Sequence, residues 1–195
     1  TGSLPPHRSD AHSAHADDKN HWFLHGGWTQ TDDNSTLLYD TWRFDLANQS
    51  WQLVYQPDPD EATPTGPIAW DPITHRLLGV DRSPTATHSL WALVDGTGWI
   101  PVELPASIGS AESLIAVPDS DMLLVIATGT SPANPQLRSI WTYDLSESTW
   151  SPLGPLPSST LSPVLGGWDM GRQEALIAAP ITSDAGPAIQ LWWLD

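Results

Sequence analysis

Cysteine is absent from the 195 residues. That absence removes disulfide staples, thiolate zinc sites, iron–sulfur clusters and thiol catalysis together. Basic residues are nearly as scarce. Seven Lys and Arg stand against 23 Asp and Glu, a net charge of -16 and a pI of about 4.4. Such a surface repels phosphate backbones and anionic lipid, so neither nucleic acid nor a membrane surface is expected as a partner. No apolar run approaches the ~18 residues of a spanning helix, so no direct membrane insertion is expected. Charged residues are only 15% of the chain, too few for a charge-driven disordered protein.

What is there in excess is Trp, at 12 residues, and Pro, at 19. That much Pro argues against long helices. The Trp residues fall in a pattern. Four segments align: Thr41-Trp42-Arg43-Phe44-Asp45, Leu90-Trp91-Ala92-Leu93-Val94, Ile140-Trp141-Thr142-Tyr143-Asp144 and Leu191-Trp192-Trp193-Leu194-Asp195. The aligned Trp residues are spaced by 49, 50 and 51 positions. A second Trp follows in three of the units, Trp51, Trp99 and Trp150, at offsets of 9, 8 and 9. This is an internal repeat.

Upstream of each first Trp lies a strand–turn–strand pattern. The turns are Asp17 to Asn20, Asp71 to Thr74, Pro118 to Asp121 and Asp169 to Arg172, rich in hairpin formers. Each unit therefore reads as four short strands a, b, c and d, with the repeated Trp on c and d. Strand b is nearly all apolar in units two to four, as for a strand buried on both faces. A four-stranded unit cannot bury both faces alone, and stacking copies radially solves this. The expected fold is all-β, a single β-propeller domain with blades at about 7–55, 64–104, 110–154 and 160–195. The last blade stops at strand c and lacks its outer strand. Four blades close alone as a small ring or form part of a larger one, completed by a partner chain, a second copy or flanking sequence.

Unit one resembles a kelch repeat. The resemblance is carried by His12-Ser13-Ala14, Gly26-Gly27, Thr41-Trp42-Arg43-Phe44-Asp45 and Trp51-Gln52-Leu53. Units two and three keep the Trp pair and unit four its first Trp, and Gly79-Val80, Ala127-Thr128 and Ala178-Ala179 are read in the place of the double glycine. Small residues there keep a close backbone approach. The resemblance implies a propeller that serves as a partner-binding scaffold, a sugar-binding module or an enzyme frame.

Strand direction puts the short a–b and c–d turns on one face and the long b–c and d–a loops on the other. Long loops on a rigid scaffold carry binding residues. The candidate partner-binding residues are Trp28, Asp32, Asp33, Asp58, Asp60, Arg82, Asn134 and Arg138, with Glu61 and His88 beside them. Trp42, Trp51, Trp91, Trp99, Trp141, Trp150 and Trp192 are read as inter-blade packing, so truncating one to Ala is expected to cost about 3–5 kcal/mol.

Catalytic and metal signals are thin. His21 and His25 share a strand face but lie too far apart to bind one metal, and His12 and His15 lie on opposite faces. Asp32-Asp33-Asn34 and Asp58-Pro59-Asp60-Glu61 offer hard oxygens without a calcium-loop spacing, and read as solvated loop charge. Nothing marks a glycosidase carboxylate pair, and there is no nucleophile elbow or phosphate loop. No catalytic residue, metal or cofactor is expected. The leading reading is a non-catalytic propeller that binds a protein through its long-loop face, with self-association or heteromeric completion of the ring as further options. The alternative is a carbohydrate-binding or carbohydrate-processing propeller. A convergent polar pocket with aromatic walls and carboxylates, at the loop face or the channel mouth, would favour the alternative, and a broad mixed surface the leading reading. Composition suits an extracytoplasmic or secreted location and is compatible with a cytoplasmic one.

Overall fold

The computed structural model describes residues 3–31, 34–58, 61–81, 90–95, 97–106, 108–118, 120–129, 138–156, 165–169, 171–183 and 186–194. The chain divides into two compact units, Thr1–Val102 and Glu103–Asp195. Each unit is built from two antiparallel sheets, and the four sheets are blades of a β-propeller.

In the first unit, blade 1 has strands β1 (His12–Ala16), β2 (His21–His25), β5 (Thr41–Asp45) and β6 (Ser50–Tyr55) in sequential order. An additional hairpin, β3 (Trp28–Thr31) with β4 (Asn34–Leu37), sits between its second and third strands. Blade 2 follows with β7 (Ile68–Asp71), β8 (Arg76–Val80), β9 (Leu90–Val94) and β10 (Gly98–Val102). In the second unit, blade 3 has β11 (Ile108–Ala116), β12 (Met122–Gly129), β13 (Arg138–Asp144) and β14 (Thr149–Pro155). Blade 4 has three strands, β15 (Leu165–Asp169), β16 (Glu174–Ser183) and β17 (Gly186–Leu194), as the repeat arithmetic predicts.

The second strands of blades 2 and 3 are deeply buried. In blade 2, Leu77, Leu78 and Val80 have almost no exposure, and in blade 3 neither do Leu123, Val125 and Ile126. The fourth strand is an edge, and Pro is tolerated there because an edge N–H needs no partner. Pro101 and Pro152 occupy one equivalent site, each opposite the repeated Trp of its blade.

One turn recurs. Asp45, Asp71, Asp144 and Asp169 each accept backbone N–H bonds from the residues two and three positions on. The residue after each turn, Gln49, His75, Ser148 or Gln173, has positive φ, as does Asn20 after the 3-10 turn Asp17–Lys19. An Asp side chain that mimics a backbone acceptor is a strong local turn signal.

Core burial follows the blades. Ala14, Ala16 and Phe23 of blade 1 pack with Ile68, Trp70, Leu77, Trp91, Leu93 and Trp99 of blade 2. In the second unit Ile115, Leu124, Ile126 and Ile140 pack with Ala175 and Ile177, and Trp168 and Trp192 close over them.

The register corrects two alignments. Trp42 lies opposite Leu24, and Trp91 lies opposite Gly79. The counterpart of Gly26 in blade 2 is therefore Asp81, two residues beyond Gly79. Trp192 lies opposite Ile177, so Ala179 alone matches Gly26 in blade 4. Gly27 does serve a close approach. Its φ is +94°, and a Cβ there would lie 2.5 Å from the Ser9 carbonyl. Two expected loops are largely strand: 28–31 pairs with 34–37 in β3–β4, and 180–183 pairs with 186–189 in β16–β17.

Candidate functional site

The long-loop face of blades 1 and 2 encloses a cleft of about 550 Å³. Its walls come from residues 37–40 before β5, residues 56–65 between β6 and β7, and Asp81 after β8. The connections between strands two and three, and between one blade and the next, meet here because the strands alternate in direction.

Four carboxylates line the cleft: Asp40, Asp58, Glu61 and Asp81. Asp40 is buried and held on two sides. Arg8 donates to it from Nη1 and Nη2, both at 2.8 Å, and the Trp42 indole N–H donates at 2.5 Å. Burial by itself would raise the Asp40 pKa. The Arg8 hydrogen bonds, the Trp42 bond and the guanidinium charge outweigh it and hold the carboxyl below its usual range. Asp81 is buried and accepts the Thr65 hydroxyl at 2.8 Å. Asp58 is exposed, and its loop closes on itself: Glu61 N–H donates to the Asp58 carbonyl, and Asp58 N–H donates to the Glu61 carboxylate.

The Thr63 hydroxyl lines the same cleft, buried and with no hydrogen-bond partner. A buried hydroxyl without a partner carries a desolvation cost, which a bound polar group would relieve. Tyr39 supplies an aromatic wall, with 38% of its surface exposed. Behind Glu61, burial of the Tyr55 hydroxyl and then the neighbouring carboxylate push the phenol pKa above its ordinary value. No hydrogen bond of normal geometry reaches that hydroxyl, so the second effect is charge proximity.

His25 lies in the interior, fully buried. Its Nε2 lies 2.9 Å from the Pro64 carbonyl, which can only accept, so Nε2 carries the proton. Nδ1 then accepts the Thr41 hydroxyl at 2.9 Å. Burial pushes the pKa down to about 4. This is a neutral structural histidine. Among the described residues no three His, Asp or Glu side chains come together to hold a metal ion.

Of the residues picked from sequence, Asp58 and Glu61 line the cleft. Trp28 opens β3 with 43% of its surface exposed and lies outside the cleft lining. Arg138 is corrected: it is no loop residue but the buried first residue of β13, ion-paired to Glu112 with Nε–Oε2 at 2.6 Å. Asp32, Asp33, Asp60, Arg82, His88 and Asn134 lie outside the described residues. Tyr39, Asp40, Thr63, Thr65 and Asp81 were not singled out. A signal was available for two: Asp40 directly precedes the repeated Trp strand, and Asp81 directly follows the apolar strand β8.

The fold and the cleft define a β-propeller with an acidic, partly aromatic pocket on its long-loop face. No family model matches the chain, and no curated protein does. Solved structures do match its fold. The protein YjhT aligns with a TM-score of 0.55 at 15% identity, over 89% of this chain and 59% of its own. An auxiliary nutrient binding protein from Bacteroides ovatus aligns at 0.53 and 9%, over 90% of this chain and 39% of its own. The catalytic domain of the GH62 alpha-L-arabinofuranosidase of Coprinopsis cinerea aligns at 0.52 and 14%, over 95% of this chain and 64% of its own. The chain thus spans less than two thirds of the length of these structures.

Proposed function

We propose that the cleft of blades 1 and 2 binds carbohydrate. The observation that carries this reading is the lining itself. Carboxylates and threonine hydroxyls that can accept and donate to sugar hydroxyls face one space beside an exposed tyrosine ring. Pockets of a few hundred Å³ with a few convergent polar groups are where small ligands bind. The fold's company supports it: one neighbour is a nutrient binding protein, and an alpha-L-arabinofuranosidase from Podospora anserina was solved with cellotriose. Asp81 and Asp58 act as acceptors for sugar hydroxyls, Thr63 gains its missing partner, and Tyr39 packs on a ring face. Asp40 is committed to Arg8 and Trp42 and shapes the wall. The kelch-type origin of the repeats belongs to this proposal; it rests on the full pattern in blade 1 and on the degenerate copies in the other three.

The test is calorimetric titration with cello-, xylo- and arabinoxylo-oligosaccharides, with the same panel assayed for hydrolysis. One member of the panel should bind, and Tyr39→Ala should weaken it by about tenfold, near 1.4 kcal/mol. No binding by any member at about 10 mM, where even a Kd of that size would show, would overturn the reading. A second reading, docking of a protein partner on the long-loop face, is favoured by the exposed Trp28 on the β3–β4 hairpin. Trp28→Ala should then abolish partner capture and leave sugar binding intact.

A further inference from the structure

The opposite face of the first unit carries a second, smaller cleft of about 190 Å³, between the turns of blades 1 and 2. Its floor includes the stacked rings of Phe23 and Trp70, 5.4 Å apart. Around it stand Lys19, His21, Arg43, His75 and Arg76. The whole chain has only seven Lys and Arg, and three of them are here. In a molecule of net charge -16 that is a local reversal of sign.

Of the acids beside this group, Asp18 and Asp71 are already occupied. Asp18 is shared by the Trp70 indole, His75 Nδ1 at 3.0 Å and Lys19 at 3.6 Å. Asp71 accepts the Ile73 and Thr74 N–H groups and the Thr74 hydroxyl, and Arg76 Nη2 stays 4.0 Å away. Asp95 is the one carboxylate in the lining itself. Arg43 donates to the neutral Gln52 side chain and has no carboxylate partner among the described residues. Two guanidinium groups thus keep N–H donors to offer, in a fork that suits an oxyanion.

We propose that this cleft is a second binding site, for a small carboxylate-bearing ligand with a ring body, the size of a single uronate residue. Arg43 and Arg76 take the carboxylate, Lys19 adds attraction, His21 and His75 add ring donors, and the Phe23–Trp70 floor carries the ring. The site is independent of the acidic cleft, whose lining shares no residue with it. Local positive charge in a negative molecule also selects: it draws in an anion that the rest of the surface repels.

The experiment is a titration followed by the indole N–H resonance of Trp70, assigned through Trp70→Phe, with glucuronate, glucose and inorganic phosphate as separate probes. Glucuronate should shift that resonance and bind about tenfold more tightly than glucose, which lacks the charge for the guanidinium fork, and than phosphate, which lacks the ring. Arg43→Gln with Arg76→Gln should weaken glucuronate at least about fivefold and leave the fold intact, since both side chains are partly exposed. Tyr39→Ala should change nothing here, which separates this site from the acidic cleft. Equal binding of glucose would overturn the role of charge, and equal binding of phosphate would overturn the role of the ring. An unaffected double variant, or no glucuronate binding, would overturn the site.

Discussion

The indole N–H of Trp70 donates to the Asp18 carboxylate at 2.7 Å. Trp70 belongs to the first strand of blade 2 and Asp18 to the first turn of blade 1, so one bond ties the two blades at their short-turn face. His75 Nδ1 reaches the same carboxylate. Trp70→Phe keeps the ring and removes the donor. It should cost about 1.5–3 kcal/mol, the range for a hydrogen bond to a charged group. Urea denaturation checks this, and Asp18→Asn, which retains an acceptor, should cost less than Asp18→Ala.

His25 makes stability depend on pH. Its folded pKa, about 4, lies below the unfolded value near 6.5. Above 6.5 both states are neutral and stability is full. As pH falls from 6.5 to 4 only the unfolded state takes up the proton, so stability is lost, on the order of 3 kcal/mol across that window. Chemical denaturation from pH 7 to 5 should show this slope, and His25→Gln should flatten it.

Arg8 and Asp40 form a buried bidentate pair, with side chains 5% and 6% exposed. Arg8 also donates to the Gly26 carbonyl at 2.9 Å. Arg8→Met leaves the Asp40 carboxylate buried with only Trp42 as a partner. The loss should be about 3–5 kcal/mol. Adding Asp40→Asn should recover part of it, which a thermal melt of the two variants resolves.

Gln49, Ser148 and Gln173 hold left-handed backbone without being glycine. A Cβ is unfavourable there, and glycine is not. Each single change to Gly should raise stability by about 0.5–1 kcal/mol after the entropy of the unfolded chain is counted. The triple variant should unfold at higher urea, with an unchanged dependence on denaturant.

The repeated Trp residues are not equivalent. Trp42, Trp91 and Trp99 are buried, whereas Trp51, Trp141, Trp150 and Trp192 are half-exposed. Alanine at the first three should cost about 3–5 kcal/mol, and at the others roughly half as much. Across the strand pair Trp51 packs tilted against Phe44 and Trp150 stacks on Tyr143, at 5.0 and 4.5 Å. Loss of those two therefore also removes an aromatic pair.

Much of the blade plan was legible because it is local and repeated. Trp at two registers, apolar second strands and Asp-led turns each report one short stretch of chain. The β3–β4 hairpin was not legible. Trp28-Thr-Gln-Thr and Asn34-Ser-Thr-Leu carry no apolar alternation, and tertiary contact defines them: Ser9 and Trp28 exchange both backbone bonds at 2.8 Å. The alignment of Gly79 with Gly26 slipped because glycine identity was matched, and glycine says nothing about register. Gly79 is small for another reason: a Cβ would lie 2.7 Å from the Pro64 side chain.

The amino-acid sequence by itself determined the four-unit repeat and the strand order within each blade. These follow from hydrogen-bonding and burial patterns that each run over about fifty residues. Only the tertiary structure decided which residues share a cleft. Tyr39, Asp58 and Asp81 come from three separate connections, and Lys19, Arg43 and Arg76 from three separate turns and strands. No spacing rule links them, because their proximity is set by the packing of blade 1 on blade 2. Packing within the second unit likewise made Arg138, expected as a surface contact, a buried ion pair with Glu112, since a charge near a strand end is exposed or enclosed according to what folds over it.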